Sequence, residues 1–383
     1  MDFTFTEEQQ MLLDTTRRFV AKDYGFEARR QIREKSPDGF SRQIWQGLAD
    51  IGLLSLNVPE ADGGLGGSAI DNMLVMNAVG EGLLLEPYLA SAVLATRTLA
   101  ALGNDAQRAE WLPALAGGEK IAVLAHDEQQ TRFDRMAIAT RAWPVGNGFL
   151  LTGHKSVVVH AGSADVLLVT ARLGKPDSDG PLAVFCVPGN APGVRKVEYA
   201  TVDGVRAGEV WLNQVFVPAT ALLNGAEGAN EAEAEQKLAD VLDFGLAAVC
   251  AEAVGALDKL LAATVEYARN RKQFGQPIGK FQALQHRMAD MVLHIEQARS
   301  MSYLAAVRCT DADPAARNRA MSAAKVVVGQ ACRFVGQQAV QLHGGMGVTD
   351  ELDVSHYFKR LMAIELQFGS TDQHLEQYAS QLA

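Results

Sequence analysis

Apolar positions recur at helical spacing from the N-terminus to about residue 118. Thr6 followed by Gln9 is a capping-box pair that opens a helix through Met11, Leu12, Phe19 and Val20. Ser41 caps a second helix whose stripe is Ile44, Trp45, Leu48 and Ile51, closed near Gly52. A glycine-rich stretch, Asp62-Gly63-Gly64-Leu65-Gly66-Gly67, separates these from helical patterns over 73–82, 88–102 and 106–116. From 119 to about 222 the texture changes. Short β-branched runs at 149–151, 156–159, 165–169 and 182–185 alternate with turn signals at 146–148 and 176–180, which predicts a small antiparallel sandwich or barrel. A polar linker at 225–235 leads to long helical periods over about 236–271, 281–310, 314–342 and 351–367, with a last one near the C-terminus. Four long helices with short connections predict an antiparallel bundle.

The expected fold class is α+β multidomain. A helical N-terminal domain covers 1–118, a middle antiparallel β-domain 119–228 and a C-terminal four-helix bundle 229–383. This α–β–α order disfavours Rossmann and TIM designs. The glycines at 63, 64, 66 and 67 lie between helical segments, so they make a poor dinucleotide fingerprint.

Composition narrows the function. The 383 residues are 48% apolar and 21% charged, an ordinary globular balance with a large core. A net charge of −10 lacks the basic footprint of a nucleic-acid partner. The apolar stretch 245–257 is interrupted by Glu252, and nothing longer could span a bilayer, so no membrane insertion is expected. Met1-Asp2-Phe3-Thr4 has neither the basic nor the apolar region of a secretory signal, which points to the cytoplasm. Cys186, Cys250, Cys309 and Cys332 form no zinc-type pair or disulfide framework. His286 and His294 share a helix face without a third ligand, so no metal is expected.

Two segments carry candidate chemistry. The first is Tyr267-Ala-Arg-Asn-Arg271-Lys-Gln273-Phe274-Gly275-Gln-Pro277-Ile278-Gly-Lys-Phe281-Gln282. As plain structure it is a helix end, with Gly275 as C-cap, Pro277 blocking continuation and Phe281 resuming the next helix. The second is Gln341-Leu-His343-Gly344-Gly345-Met-Gly347, a helix end with a glycine turn, or a backbone that lets a ligand approach closely.

On these two motifs, and on Gly103-Asn-Asp-Ala-Gln-Arg-Ala-Glu-Trp-Leu-Pro in the first domain, the chain resembles the acyl-CoA dehydrogenase family over its whole length. The resemblance implies FAD as cofactor, an acyl-CoA substrate and an electron-transfer flavoprotein as acceptor. It implies that both bundle motifs grip the ADP half of a flavin whose ring lies in a neighbouring subunit. Arg271 would bind the pyrophosphate, as a planar guanidinium forks onto phosphate oxygens. Gln273 and Phe274 would line that pocket, with Ile278 and Phe281 beside them. Gln341, Gly344 and Gly345 would meet the dinucleotide through amide and backbone groups. His343 replaces an aliphatic residue common in the glycine motif; it would either touch the adenine or ribose, or serve the helix end. In the family a carboxylate removes the α-proton of the thioester and hydride leaves the β-carbon for the flavin.

The chain departs from the family where that carboxylate belongs. The usual base precedes a Gly-Thr pair; the matching stretch is Gln367-Phe368-Gly369-Ser370-Thr371-Asp372, which puts Phe368 there. The family's alternative base position, early in the first bundle helix, holds Gly245. Asp243 and Asp372 are the closest carboxylates in sequence, and Leu246 stands where relatives often carry a substrate-contacting Arg. The flavin-side loop, His126-Asp127-Glu128 through Phe133-Asp134, has no glycine, and the family's flavin-stacking Trp appears as Val157. The ADP grip is kept while the ring pocket and base are dismantled. That pattern resembles the small subunits of heteromeric members, such as pimeloyl-CoA dehydrogenase small subunits and subunits acting on steroid side-chain thioesters. The expected function is the small subunit of an α2β2 acyl-CoA dehydrogenase. The alternatives are a self-sufficient homo-oligomeric dehydrogenase with a displaced base at Asp243 or Asp372, and a non-catalytic scaffold without flavin.

Overall fold

The computed structural model describes residues 4–131, 134–175, 180–223 and 231–382. Its N-terminal part holds α1 (Glu7–Asp23), α2 (Phe26–Lys35), α3 (Arg42–Asp50), α4 (Ala69–Gly82), α5 (Thr96–Leu102) and α6 (Asp105–Ala116). The capping box at α1 is made: Gln9 N donates to Thr6 Oγ1 and Thr6 N to Gln9 Oε1, each at 3.2 Å. Ser41 caps α3 by accepting from Ile44 N at 3.2 Å. The period expected over 88–102 is divided, with Tyr88–Ala95 wound as a π-helix ahead of α5.

The β-domain contains β1 (Ala122–Ala125), β2 (Arg141–Val145), β3 (Gly148–Val159), β4 (Val166–Leu173), β5 (Leu182–Pro188), β6 (Val194–Ala200) and β7 (Arg206–Pro218). They run in the order β1-β4-β2-β3-β7-β6, with β5 also on β4. Most neighbours are antiparallel, as expected, but β1 and β2 both lie parallel to β4. No hairpin joins either strand to β4, so no turn dictates their relative direction. The turn expected over 176–180 and the linker over 225–235 fall largely outside the described residues, as does Phe133.

The C-terminal part comprises α7 (Glu231–Asn270), a hairpin of β8 (Lys272–Gln273) and β9 (Gln276–Pro277), then α8 (Gln282–Arg308), α9 (Pro314–His343), α10 (Asp353–Leu366) and α11 (Thr371–Ser380). The chain forms two compact units, Met1–Arg30 with Ala69–Leu84 and Leu246–Ala383, and Gln31–Ser68 with Leu85–Gly245.

In the first unit α4 and α7 touch backbone to backbone. A methyl on Gly80 would fall on the Glu252 carbonyl oxygen, and one on Gly255 on the Asn77 carbonyl oxygen. Glu252, the charge that interrupts the apolar stretch, is buried and held by Arg360 through Nε (2.5 Å) and Nη2 (2.8 Å). In the second unit Leu99, Leu102, Leu112 and Leu115 from the helices pack with Ala122, Val166, Leu168 and Val184 from the sheet. Trp45 is buried and its indole N–H donates to Gly118 O at 3.2 Å.

Candidate functional site

In the first unit, α7 ends at Asn270 and the chain turns at once into the β8–β9 hairpin. The two-residue loop is Phe274-Gly275, with φ of 54° and 77°. Two consecutive left-handed residues make the tight turn whose twist matches a hairpin. Gly275 is therefore a hairpin residue, not the helix C-cap expected from the sequence. The turn pushes Phe274 into solvent, 91% exposed, with its ring edge-on to Phe281 at 6.0 Å. Ile278 N donates to Arg271 O at 2.8 Å and folds the segment back on itself, leaving Ile278 and Phe281 half-buried. Arg271 and Gln273 are exposed, and among the described residues neither side chain has a hydrogen-bond or ion-pair partner.

The glycine motif follows α9. Gln341, Gly344 and Gly345 are exposed. Gly344 has φ of 60°, and a Cβ on Gly344 or Gly345 would meet no protein atom within 4 Å. Packing thus gives no reason for Gly345 to be bare, whereas close approach of a ligand does. Gly347 differs: a Cβ there would meet Val340 O and His343 Cβ. The two motifs are brought together by Tyr267 and His343, whose rings stack at 4.2 Å. An exposed guanidinium, two free amides and bare backbone on rigid helix ends suit a phosphate-bearing ligand.

Also in the first unit, Phe368 sits half-buried in the α10–α11 turn with φ of 57°. The turn is firmly tied. Lys325 is buried and donates to Glu365 O and Gly369 O, both at 2.7 Å, and His374 Nε2 donates to Phe368 O at 2.9 Å. Burial holds the Lys325 ammonium below the usual lysine range. Asp372 is exposed in the first turn of α11.

In the second unit, Asp243 is paired with Arg135 at 3.0 Å, and the Arg97 guanidinium lies 3.6 Å over the Phe244 ring. Gly245 is buried. Val157 sits in a bulge of β3 between Lys155 and Val158. It has φ of 52°, an outlier for a β-branched residue, and is 51% exposed. Its N–H donates to Glu209 Oε1 at 3.3 Å, and the same carboxylate is held by Tyr199 OH (2.8 Å) and His154 Nε2 (2.7 Å). Burial would raise the Glu209 carboxyl, but the hydrogen bonds from Tyr199 OH and the Val157 N–H, with the His154 ring close by, bring it below the usual range.

Beneath this surface lies a buried polar cluster that the sequence did not reveal. Lys155 and Glu128 pair at 2.7 Å with neither side chain exposed. Lys155 Nζ also donates to Thr170 Oγ1 (2.9 Å), and Glu128 accepts from Ala139 N (2.7 Å) and Thr140 Oγ1 (2.6 Å). Burial lowers Lys155 to about 8 against the pull of Glu128. Burial would raise Glu128, but the Lys155 charge and the hydrogen bonds hold it below the usual range. Burial, then the Lys155 charge, push His126 down to about 3.

Comparison with known proteins places the whole chain. The N-terminal, middle and C-terminal domain models of acyl-CoA dehydrogenase match residues 6–119, 124–215 and 238–383.

The chain belongs to the acyl-CoA dehydrogenase family.

It is 31% identical over 389 residues to acyl-CoA dehydrogenase FadE27 of Mycobacterium tuberculosis, covering 100% of this chain and 99% of the relative. A chain of the ChsE4-ChsE5 complex, also from M. tuberculosis, superposes with a TM-score of 0.87 at 30% identity, covering 100% and 99%. An FAD complex of PigA superposes with a TM-score of 0.87 at 26% identity, covering 100% and 99%. Among the described residues of this acyl-CoA dehydrogenase family member, no helix is long and apolar enough to cross a membrane and no metal-ligand cluster occurs.

Proposed function

We propose that this chain is the small subunit of an α2β2 FAD-dependent acyl-CoA dehydrogenase, located in the cytoplasm, and that it lends its nucleotide clasp to the partner subunit's flavin. The observation that carries this reading is a split within one chain. The clasp residues Arg271, Gln273 and Gln341 are exposed and uncommitted beside bare Gly344 and Gly345. The base positions hold Phe368 and Gly245, which have no side chain able to take a proton.

Arg271 would take the FAD pyrophosphate, with Gln273, Gln341 and the backbone at Gly344 and Gly345 completing the grip. Phe274, Ile278 and Phe281 would give it an apolar wall. Bound FAD supplies the acceptor for the hydride of α,β-dehydrogenation. Electron-transfer flavoprotein would reoxidise it. The nearest carboxylates support a missing base. Asp243 is committed to Arg135, and Asp372 is exposed in the first turn of α11 rather than enclosed in a pocket. The ChsE4-ChsE5 relative, solved as a complex of two named components, supports a heteromer.

Co-expression with a homologous large subunit tests the reading. Anaerobic acyl-CoA should bleach the flavin of the co-purified assembly and leave the isolated chain unaffected. Full bleaching by the isolated chain would overturn the proposal.

A further inference from the structure

We propose that His343 is a positioning residue that holds the two halves of the nucleotide clasp in register, an inference that rests on the clasp reading above. Its ring lies on the Tyr267 ring with centroids 4.2 Å apart and planes 28° from parallel. Nδ1 is 2.8 Å from Ala339 O. A carbonyl only accepts, so Nδ1 carries the proton and the ring is fixed about its own axis. Tyr267 OH donates to His343 O at 3.4 Å. That carbonyl belongs to the last residue of α9, where backbone acceptors lack helical partners, and the next residue is Gly344.

The other half hangs from the same tyrosine. Arg271 N donates to Tyr267 O at 2.8 Å, and the hairpin bearing Gln273 and Phe274 follows directly. One ring contact therefore links the guanidinium side to the glycine side. His343 is 4% exposed, so it supports the ligand groups rather than presenting itself as one. A leucine at 343 would fill the space but would lose the donor to Ala339 and the planar contact.

The test is calorimetric binding of FAD and of ADP to the flavin-depleted native assembly. Arg271→Ala is the reference for the clasp itself. His343→Leu and Tyr267→Leu should each weaken ADP and FAD binding about tenfold, with Tyr267→Phe within about threefold of wild type because it keeps the ring. The double variant should be no worse than either single by more than about twofold, since both remove one contact. Thermal midpoints should stay within about 3 °C of wild type, which separates positioning from general destabilisation. His343→Asn, which keeps a donor toward Ala339 without the ring, stands in if His343→Leu does not fold, with the same tenfold loss expected. If Arg271→Ala loses affinity while the His343 and Tyr267 variants keep it, the positioning role is overturned and the clasp stands. If Arg271→Ala also keeps wild-type affinity, both fall.

Discussion

Replacing Asp243 by asparagine separates a displaced base from a structural carboxylate. Arg135 Nη2 lies 3.0 Å from Asp243 Oδ1, with side-chain exposures of 20% and 6%. The amide is nearly isosteric and keeps an acceptor, but it removes the charge. Arg135 Nη1 is already buried without a hydrogen-bond partner among the described residues, so the guanidinium has little to compensate. Loss of a charge-assisted bond costs about 1.5–3 kcal/mol, and partial exposure of Arg135 favours the lower half of that range. At about 2 kcal/mol, a unit of this size should lose about 4–8 °C in thermal midpoint. A general base is worth about 10²–10⁴ in rate, whereas a structural carboxylate predicts turnover within about threefold of wild type in the native assembly. Thermal unfolding and steady-state oxidation of acyl-CoA, run on one preparation, read both quantities. A rate loss of about a hundredfold or more at an unchanged midpoint would refute the structural assignment and revive Asp243 as the base.

Four further outcomes are expected. Lys155→Met should cost about 3–5 kcal/mol in urea unfolding because it strands the Glu128 carboxylate, and adding Glu128→Gln should recover part of that; a single-variant cost under about 1 kcal/mol would contradict the buried pair. His126 is pushed to about 3 in the folded chain, so the unfolded chain binds its proton first as pH falls. Its contribution is complete above the ordinary value near 6.5 and is lost below it by about 1.4 kcal/mol per pH unit; His126→Gln should flatten stability between about pH 6 and 5, and an unchanged slope would count against burial as the cause. Gly255→Ala, which meets the Asn77 carbonyl, should cost about 1–3 kcal/mol. Gly345→Ala should leave stability within about 0.5 kcal/mol while weakening FAD binding, and the reverse ordering would undo the distinction between packing and ligand glycines.

Local signals in the sequence translated directly. The capping pairs at Thr6–Gln9 and at Ser41 are made as expected because they depend on neighbours in the chain. The α2 helix was not expected, since its charged residues obscure any apolar stripe, and Arg29 rather than an apolar side chain is its buried residue. Gly275 reads in sequence as a helix C-cap, and the hairpin turn it shares with the left-handed Phe274 is not legible there, because only the register of β8 with β9 demands it. Lys155 has no partner near it in the chain, and Glu128, from a distant loop, supplies one only in the fold. Glu209 is likewise silent, because its partners Tyr199, His154 and the Val157 N–H converge only once β3, β6 and β7 pair. The sequence leaves His343 between a ligand contact and a helix-end role, and its bond to Ala339 places it at the helix end.

The most direct measurement is the flavin content of the assembly purified from its native source, counted against the two subunit types. One FAD per two chains is expected, bound where the clasp of this chain meets the partner's ring pocket. One FAD per copy of this chain in a homo-oligomer that turns over acyl-CoA unaided would contradict the division of labour between the subunits.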